Sequence, residues 1–103
     1  MYQVNQAIAP PFEIINFFAM HYVYLIKSKK TNFQYIGNTN DLRRRFEEHN
    51  AGKEISTKYN APYKLVYYEA YADKRDALDR ERKLKHHGSS VGHLKQRVKF
   101  SLE

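Results

Sequence analysis

Residues His21–Leu42 read HYVYLIKSKKTNFQYIGNTNDL, and this stretch decides the fold. The run Tyr22–Ile26 is entirely aromatic, β-branched or aliphatic, which favours a strand. Lys27–Asn32 is polar and turns the chain, and Phe33–Ile36 resumes the apolar pattern, so a β-hairpin is predicted. Gly37-Asn38-Thr39-Asn40 is expected to break the second strand, and Thr39, Asn40 or Asp41 can cap a following helix. Two tripeptides, Tyr22-Val23-Tyr24 and Tyr35-Ile36-Gly37, flank the turn. In a chain with nine tyrosines they carry little weight alone. The positions of the other polar residues carry more.

Outward from the hairpin, a helix is predicted over about Asp41–Ala51, with Gly52 as its stop. Residues 53–63 read as a loop closed by Ala61-Pro62, and Lys64–Ala70 as a third strand. Asp73 can cap a second helix running to about His87 and ended by Gly88. Ser89 or Ser90 can cap a last helix, in which Val91, Leu94 and Val98 fall at i, i+3 and i+7. The order ββαβαα predicts a small α+β domain: a three-stranded antiparallel sheet flanked by helices.

A chain of 103 residues fits one compact domain and leaves no room for a separate recognition domain. Its 18 Lys+Arg against 11 Asp+Glu give +7, an excess that favours polyanionic partners through phosphate neutralisation and counterion release. There is no cysteine, hence no disulfide framework or thiolate metal site, which suits a reducing cytoplasm. Within residues 1–20 the only charged residue is Glu13, and neither a secretory signal nor a membrane span is legible there. The expected organisation is an extension over 1–19, then the domain over 20–103. The extension is either a misassigned start upstream of Met20 or a segment whose Ile and Phe residues cover a face of the domain or of a partner.

Helical geometry separates the charged residues. Arg45 and His49 lie three and seven positions after Leu42, on the inward face of the first helix, whereas Arg43, Arg44, Glu47 and Glu48 point outward and can pair at i, i+4. Glu81 lies on the apolar stripe of the second helix, marked by Ala77, Leu78 and Leu84. An inward guanidinium and an inward carboxylate each need a partner. One solution is a structural Arg45–Glu81 salt bridge. The other is an anion subsite at Arg45 beside a cation ligand at Glu81, a pair suited to phosphodiester hydrolysis. Magnesium often takes only one or two protein carboxylates, so Glu81 alone suffices. Tyr24 and Tyr35 can meet across the hairpin and face Arg45, where nearby cations would lower a phenol from ~10 toward service as a base. His86 and His87 project in different directions and read as basic surface.

These segments, in this order, resemble the GIY-YIG nucleases, and most closely their small single-domain bacterial members related to the nuclease subunit of nucleotide excision repair. The resemblance rests on His21–Ser28, Tyr35–Leu42, Arg44–Asn50 (RRFEEHN), Lys64–Glu69 (KLVYYE) and Ala77–Lys85 (ALDRERKLK). The first tripeptide departs from the family signature, with Tyr22 for Gly and Val23 for Ile. The resemblance implies that Tyr24 and Tyr35 are the signature tyrosines, with Tyr24 favoured to activate water. It further implies that Arg45 stabilises phosphate charge, that His49 stands where some members have a catalytic histidine, and that Glu81 is the single metal ligand. The implied activity is a DNA endonuclease dependent on Mg²⁺ or Mn²⁺, with water attacking in line and the metal on the departing side. Branched or damaged DNA in repair or recombination is the expected substrate, with a homodimer or a partner protein aiding recognition. Asn38 stands where some members carry a lysine, and the family's occasional C-terminal catalytic Asn has no counterpart. Lys27, Lys29, Lys30, Lys53, Lys58, Lys95, Arg97 and Lys99 are the candidate DNA contacts, and Tyr59 can either stack on a base or pack its loop. The alternative is a non-cleaving nucleic-acid-binding module or accessory subunit.

Overall fold

The computed structural model describes residues 19–103, so the two readings of the segment before Met20 fall almost wholly outside the described residues. Strands β1 (His21–Ser28), β2 (Gln34–Thr39) and β3 (Tyr63–Tyr71) form an antiparallel sheet in the order β2-β1-β3. Helices α1 (Leu42–Asn50), α2 (Lys74–His86) and α3 (Gly88–Arg97) complete the expected α+β order, with a 3-10 turn at Lys58–Asn60.

Central β1 explains its own composition. Val23, Tyr24, Leu25 and Ile26 are all at most 2 % exposed, because the strand is paired on both edges and covered on both faces. Such a strand is apolar without alternation. Val23 and Leu25 pack with Ala77, Leu84, Leu94 and Val98 on the side of α2 and α3. Tyr24 and Ile26 join Tyr63, Tyr35, Leu42 and Phe46 on the side of α1.

The second strand runs further than expected. Gly37, Asn38 and Thr39 stay in the ladder opposite Tyr24, Val23 and Tyr22. Gly37 is there for space rather than to end the strand: a Cβ would lie 2.4 Å from the Tyr24 hydroxyl oxygen. Asp41 is the residue that caps α1, accepting from the Arg44 N–H at 3.1 Å, and Gly52 takes φ +73° just beyond its end. Asp73 caps α2, accepting from the Arg75 N–H at 2.8 Å. Neither Ser89 nor Ser90 caps α3, because a single residue, His87, joins it to α2 and leaves both serines inside the first turn.

Leu78 also departs from expectation. It is 42 % exposed while Ala77 and Leu84 are buried, so the inward stripe of α2 is narrow and runs Ala77, Glu81, Leu84. Leu84→Ala is therefore expected to cost about 2–5 kcal/mol in urea unfolding. Leu78→Ala should stay within about 0.5 kcal/mol of the parent. Equal losses would contradict this packing.

Candidate active site

The site wraps around the β2 edge of the sheet at Gly37. Tyr24 lies opposite Gly37 and Tyr35 opposite Ile26, so the two tyrosines meet diagonally across the space left by the glycine, with ring centroids 6.4 Å apart. From α1, His49 enters beneath them, fully buried, with its ring 5.7 Å from Tyr24 and 5.2 Å from Tyr35. The placement of His49 on the inward face, seven residues from Leu42, is as the helical spacing required.

A chain of buried hydrogen bonds runs through His49. The Tyr24 hydroxyl and His49 Nε2 are 2.7 Å apart, and His49 Nδ1 and Thr57 Oγ1 are 2.8 Å apart. Thr57 gives its own hydroxyl proton to the Glu54 carbonyl at 3.4 Å, so its oxygen is free to accept from His49 Nδ1–H. The assigned tautomer then leaves a lone pair on Nε2, which accepts from the Tyr24 hydroxyl. Burial, with the positive charge of Arg45, pushes the His49 pKa down, so the imidazole is held neutral. The lowering expected for Tyr24 draws on Mg²⁺ as well as Arg45, and within the protein alone the balance is different. Burial pushes its phenol up to about 12, outweighing the lowering effect of Arg45, while Tyr35 and Glu81 raise it further. Within the protein alone Tyr24 is a protonated phenol with a histidine as its proton acceptor.

The expected Arg45–Glu81 bridge does not form. Arg45 donates instead to Glu48 Oε1 at 3.0 Å and Glu54 Oε2 at 2.5 Å, with its side chain 27 % exposed. Burial works against its charge, but Glu54, Glu48 and Tyr24 outweigh it and hold the guanidinium above its ordinary pKa. Glu48 and Glu54 are each held below the usual carboxylate range, chiefly by Arg45. Of the two outward pairs expected on α1, Arg44–Glu48 forms at 3.1 Å, and Arg43–Glu47 is not among the ion pairs of the described residues.

Glu81 reaches the same edge from α2. Its Oε1 accepts from Asn38 Nδ2 at 2.7 Å and its Oε2 pairs with Lys85 Nζ at 3.1 Å. Lys85 also lies 5.2 Å from the Tyr35 ring centroid. An ammonium therefore already sits where a cation would be attracted. The oxygens fit a hard cation bound by one carboxylate, with solvent and substrate oxygens completing its shell. No cluster of three His, Cys, Asp or Glu exists among the described residues, so this is not a multi-carboxylate cage.

Of the expected site residues, Tyr24, Tyr35, Arg45 and His49 converge, with Glu81 across the strand edge. The basic candidates are spread over several elements of the fold. Lys29 and Lys30 lie at the hairpin turn, and Lys53 and Lys58 on the loop after α1. Lys27 is only partly exposed within β1, and Lys95 borders a cavity of about 350 Å³ beside Tyr35 and Lys85. Arg97 lines a different one with Arg80, and Lys99 lies near Phe100. Sequence reasoning missed Thr57, Glu54 and Lys85, and named Asn38 only as a departure from the family pattern, not as the partner of Glu81. The i, i+4 spacing of Glu81 and Lys85 was a usable signal, whereas nothing local marked Thr57 or Glu54.

Residues 20–97 match the GIY-YIG catalytic domain. A UPF0213 protein of Staphylococcus haemolyticus is 43% identical over 68 residues, covering 65% of this chain and 82% of that protein. Another, of Clostridium perfringens, is 43% identical over 63 residues, covering 60% and 67%. The solution NMR structure of a UPF0213 protein of Bacillus halodurans is 29% identical with a TM-score of 0.49, covering 77% of this chain and 86% of that one. Among the described residues no helix is long and apolar enough to cross a membrane.

Thr57→Val keeps the shape and removes the acceptor of His49 Nδ1–H, and is expected to cost about 1–3 kcal/mol in urea unfolding. Because the His49 pKa is lowered in the fold, the unfolded chain takes up that proton first as pH falls. Stability is then full above about pH 6.5 and declines below it toward the native value. The depressed Glu48 and Glu54 add their loss only further down, below the ordinary carboxylate value. Urea unfolding at pH 7.5 and 5.5 checks this, and a flat profile would contradict a neutral buried His49.

Proposed function

The chain belongs to the GIY-YIG family, and from that membership and the geometry of its site we propose that it is a divalent-metal-dependent endonuclease that hydrolyses DNA phosphodiester bonds. The observation that carries the reading is the buried Tyr24–His49–Thr57 chain beside Arg45. A tyrosine raised to about 12 is a poor base alone, but one bonded to a neutral imidazole can pass its proton on as it takes another. In this reading the attacking water gives its proton to Tyr24, whose own proton moves to His49 Nε2, while Nδ1–H stays on Thr57. Arg45 leaves Glu54 and Glu48 to meet the phosphate, where a guanidinium fork suits two oxygens. Glu81, oriented by Asn38, would hold Mg²⁺ or Mn²⁺ in place of the Lys85 ammonium. The metal, when bound, supplies Lewis-acid stabilisation of the departing oxygen. Tyr35 borders the phenol of Tyr24 and the ammonium of Lys85 and shapes the approach between them.

One observation favours the non-cleaving alternative. Both Arg45 and Glu81 already have internal partners, so the site is electrostatically closed without substrate. Cleavage of a panel of duplex, flapped, branched and single-stranded DNA with Mg²⁺ or Mn²⁺ separates the two. The nuclease reading expects Glu81→Gln and Arg45→Ala each to lower the rate by about a hundredfold or more, as loss of transition-state charge stabilisation does. Salt-sensitive binding with no cleavage of any substrate would establish the binding module instead.

A further inference from the structure

The loop between α1 and β3 is pinned from within at four points. Glu54 holds Arg45, the Thr57 hydroxyl holds His49, the Thr57 carbonyl accepts from the Tyr63 hydroxyl at 2.5 Å, and the Asn60 carbonyl accepts from the Ser28 hydroxyl at 2.6 Å. Outward, the same loop presents Ile55, 79 % exposed, and Tyr59, 75 % exposed. Tyr59 therefore does not pack its loop, which was one of the two roles open to it. Lys58 Nζ lies 5.1 Å from the Tyr59 ring centroid, and Lys53 is exposed on the same loop.

Ile55 and Tyr59 each stand two residues from Thr57, which puts their Cα atoms within about 7 Å of its Cα. Thr57 itself touches His49, so the stretch of loop that carries Ile55 and Tyr59 is anchored to the candidate site through His49. An exposed aromatic ring with an ammonium over one face matches one nucleotide: the base stacks on the other face and the ammonium meets the phosphate. Bases within a duplex are already stacked on each other, whereas an unpaired base has an open π-face.

We propose that Tyr59 is a stacking platform for an unpaired nucleobase, with Lys58 on the adjoining phosphate and Ile55 widening the apolar contact. The substrate is then DNA carrying unpaired bases beside the cleaved bond: a single strand, a flap or a frayed junction. This substrate class rests on the nuclease reading above.

The test measures binding without cleavage, by fluorescence anisotropy in EDTA on the Glu81→Gln background, using a labelled oligothymidine strand and a labelled hairpin duplex at one salt concentration. Tyr59→Ala should weaken single-strand binding by about tenfold. Duplex binding should change by no more than about twofold, as for an ordinary surface substitution. Tyr59→Phe, which keeps the ring, should retain the single-strand affinity. Equal loss on both DNAs, no loss on either, or a Phe variant as weak as the Ala variant would overturn the platform. So would self-association that Tyr59→Ala abolishes with DNA binding unchanged, which would assign the ring to a second copy of the chain. Because this readout needs no cleavage, its failure leaves the nuclease reading standing, and an inactive parent protein leaves the binding preference to be read on its own.

Discussion

The buried hydrogen-bond chain from Tyr24 through His49 to Thr57 is the constraint on which the site depends. It joins the central strand, the first helix and the loop that follows it. A fully buried imidazole is tolerable only when both nitrogens are satisfied, and here one donates and the other accepts. Gly37 makes the arrangement possible by leaving the space that the Tyr24 phenol fills. The edge strand, the glycine and the histidine are thus parts of a single packing solution.

Around that neutral chain the charges are arranged in closed sets. Arg45 is shared by two carboxylates, and Glu81 by an amide and an ammonium. Each set avoids the cost of an unpaired charge at a half-buried position. In the proposed reaction the two sets open together, since a phosphate competes with Glu54 and Glu48 for Arg45 just as a metal competes with Lys85 for Glu81. Opening the first set also gives the loop carrying Glu54 and Tyr59 a direct connection to substrate.

What the sequence made legible followed from local periodicity. The aromatic and aliphatic run of β1 reported a strand, and the spacing from Leu42 put Arg45 and His49 inward. Glu81 was found in the same way, although Leu78, counted with its stripe, lies outward. Partners were not legible where they depend on how a loop returns. Thr57 follows His49 by eight residues and meets it in a loop held by Tyr63, Ser28 and Arg45. Asn38 and Glu81 are 43 residues apart and touch because β2 continues past Gly37, where a strand break was expected. The rise of the Tyr24 pKa was hidden for a related reason: the opposing effects of burial and of Arg45 cannot be weighed before the depth of the phenol is known.

The most direct measurement is the ¹⁵N NMR spectrum of the His49 imidazole across a pH titration, with Tyr24→Phe as the comparison. The account predicts a neutral ring at pH 7 with the proton on Nδ1 and a lone pair on Nε2, and a change at Nε2 when the Tyr24 hydroxyl is removed. An imidazolium at pH 7, or a proton resident on Nε2, would contradict the relay and with it the role given to Tyr24.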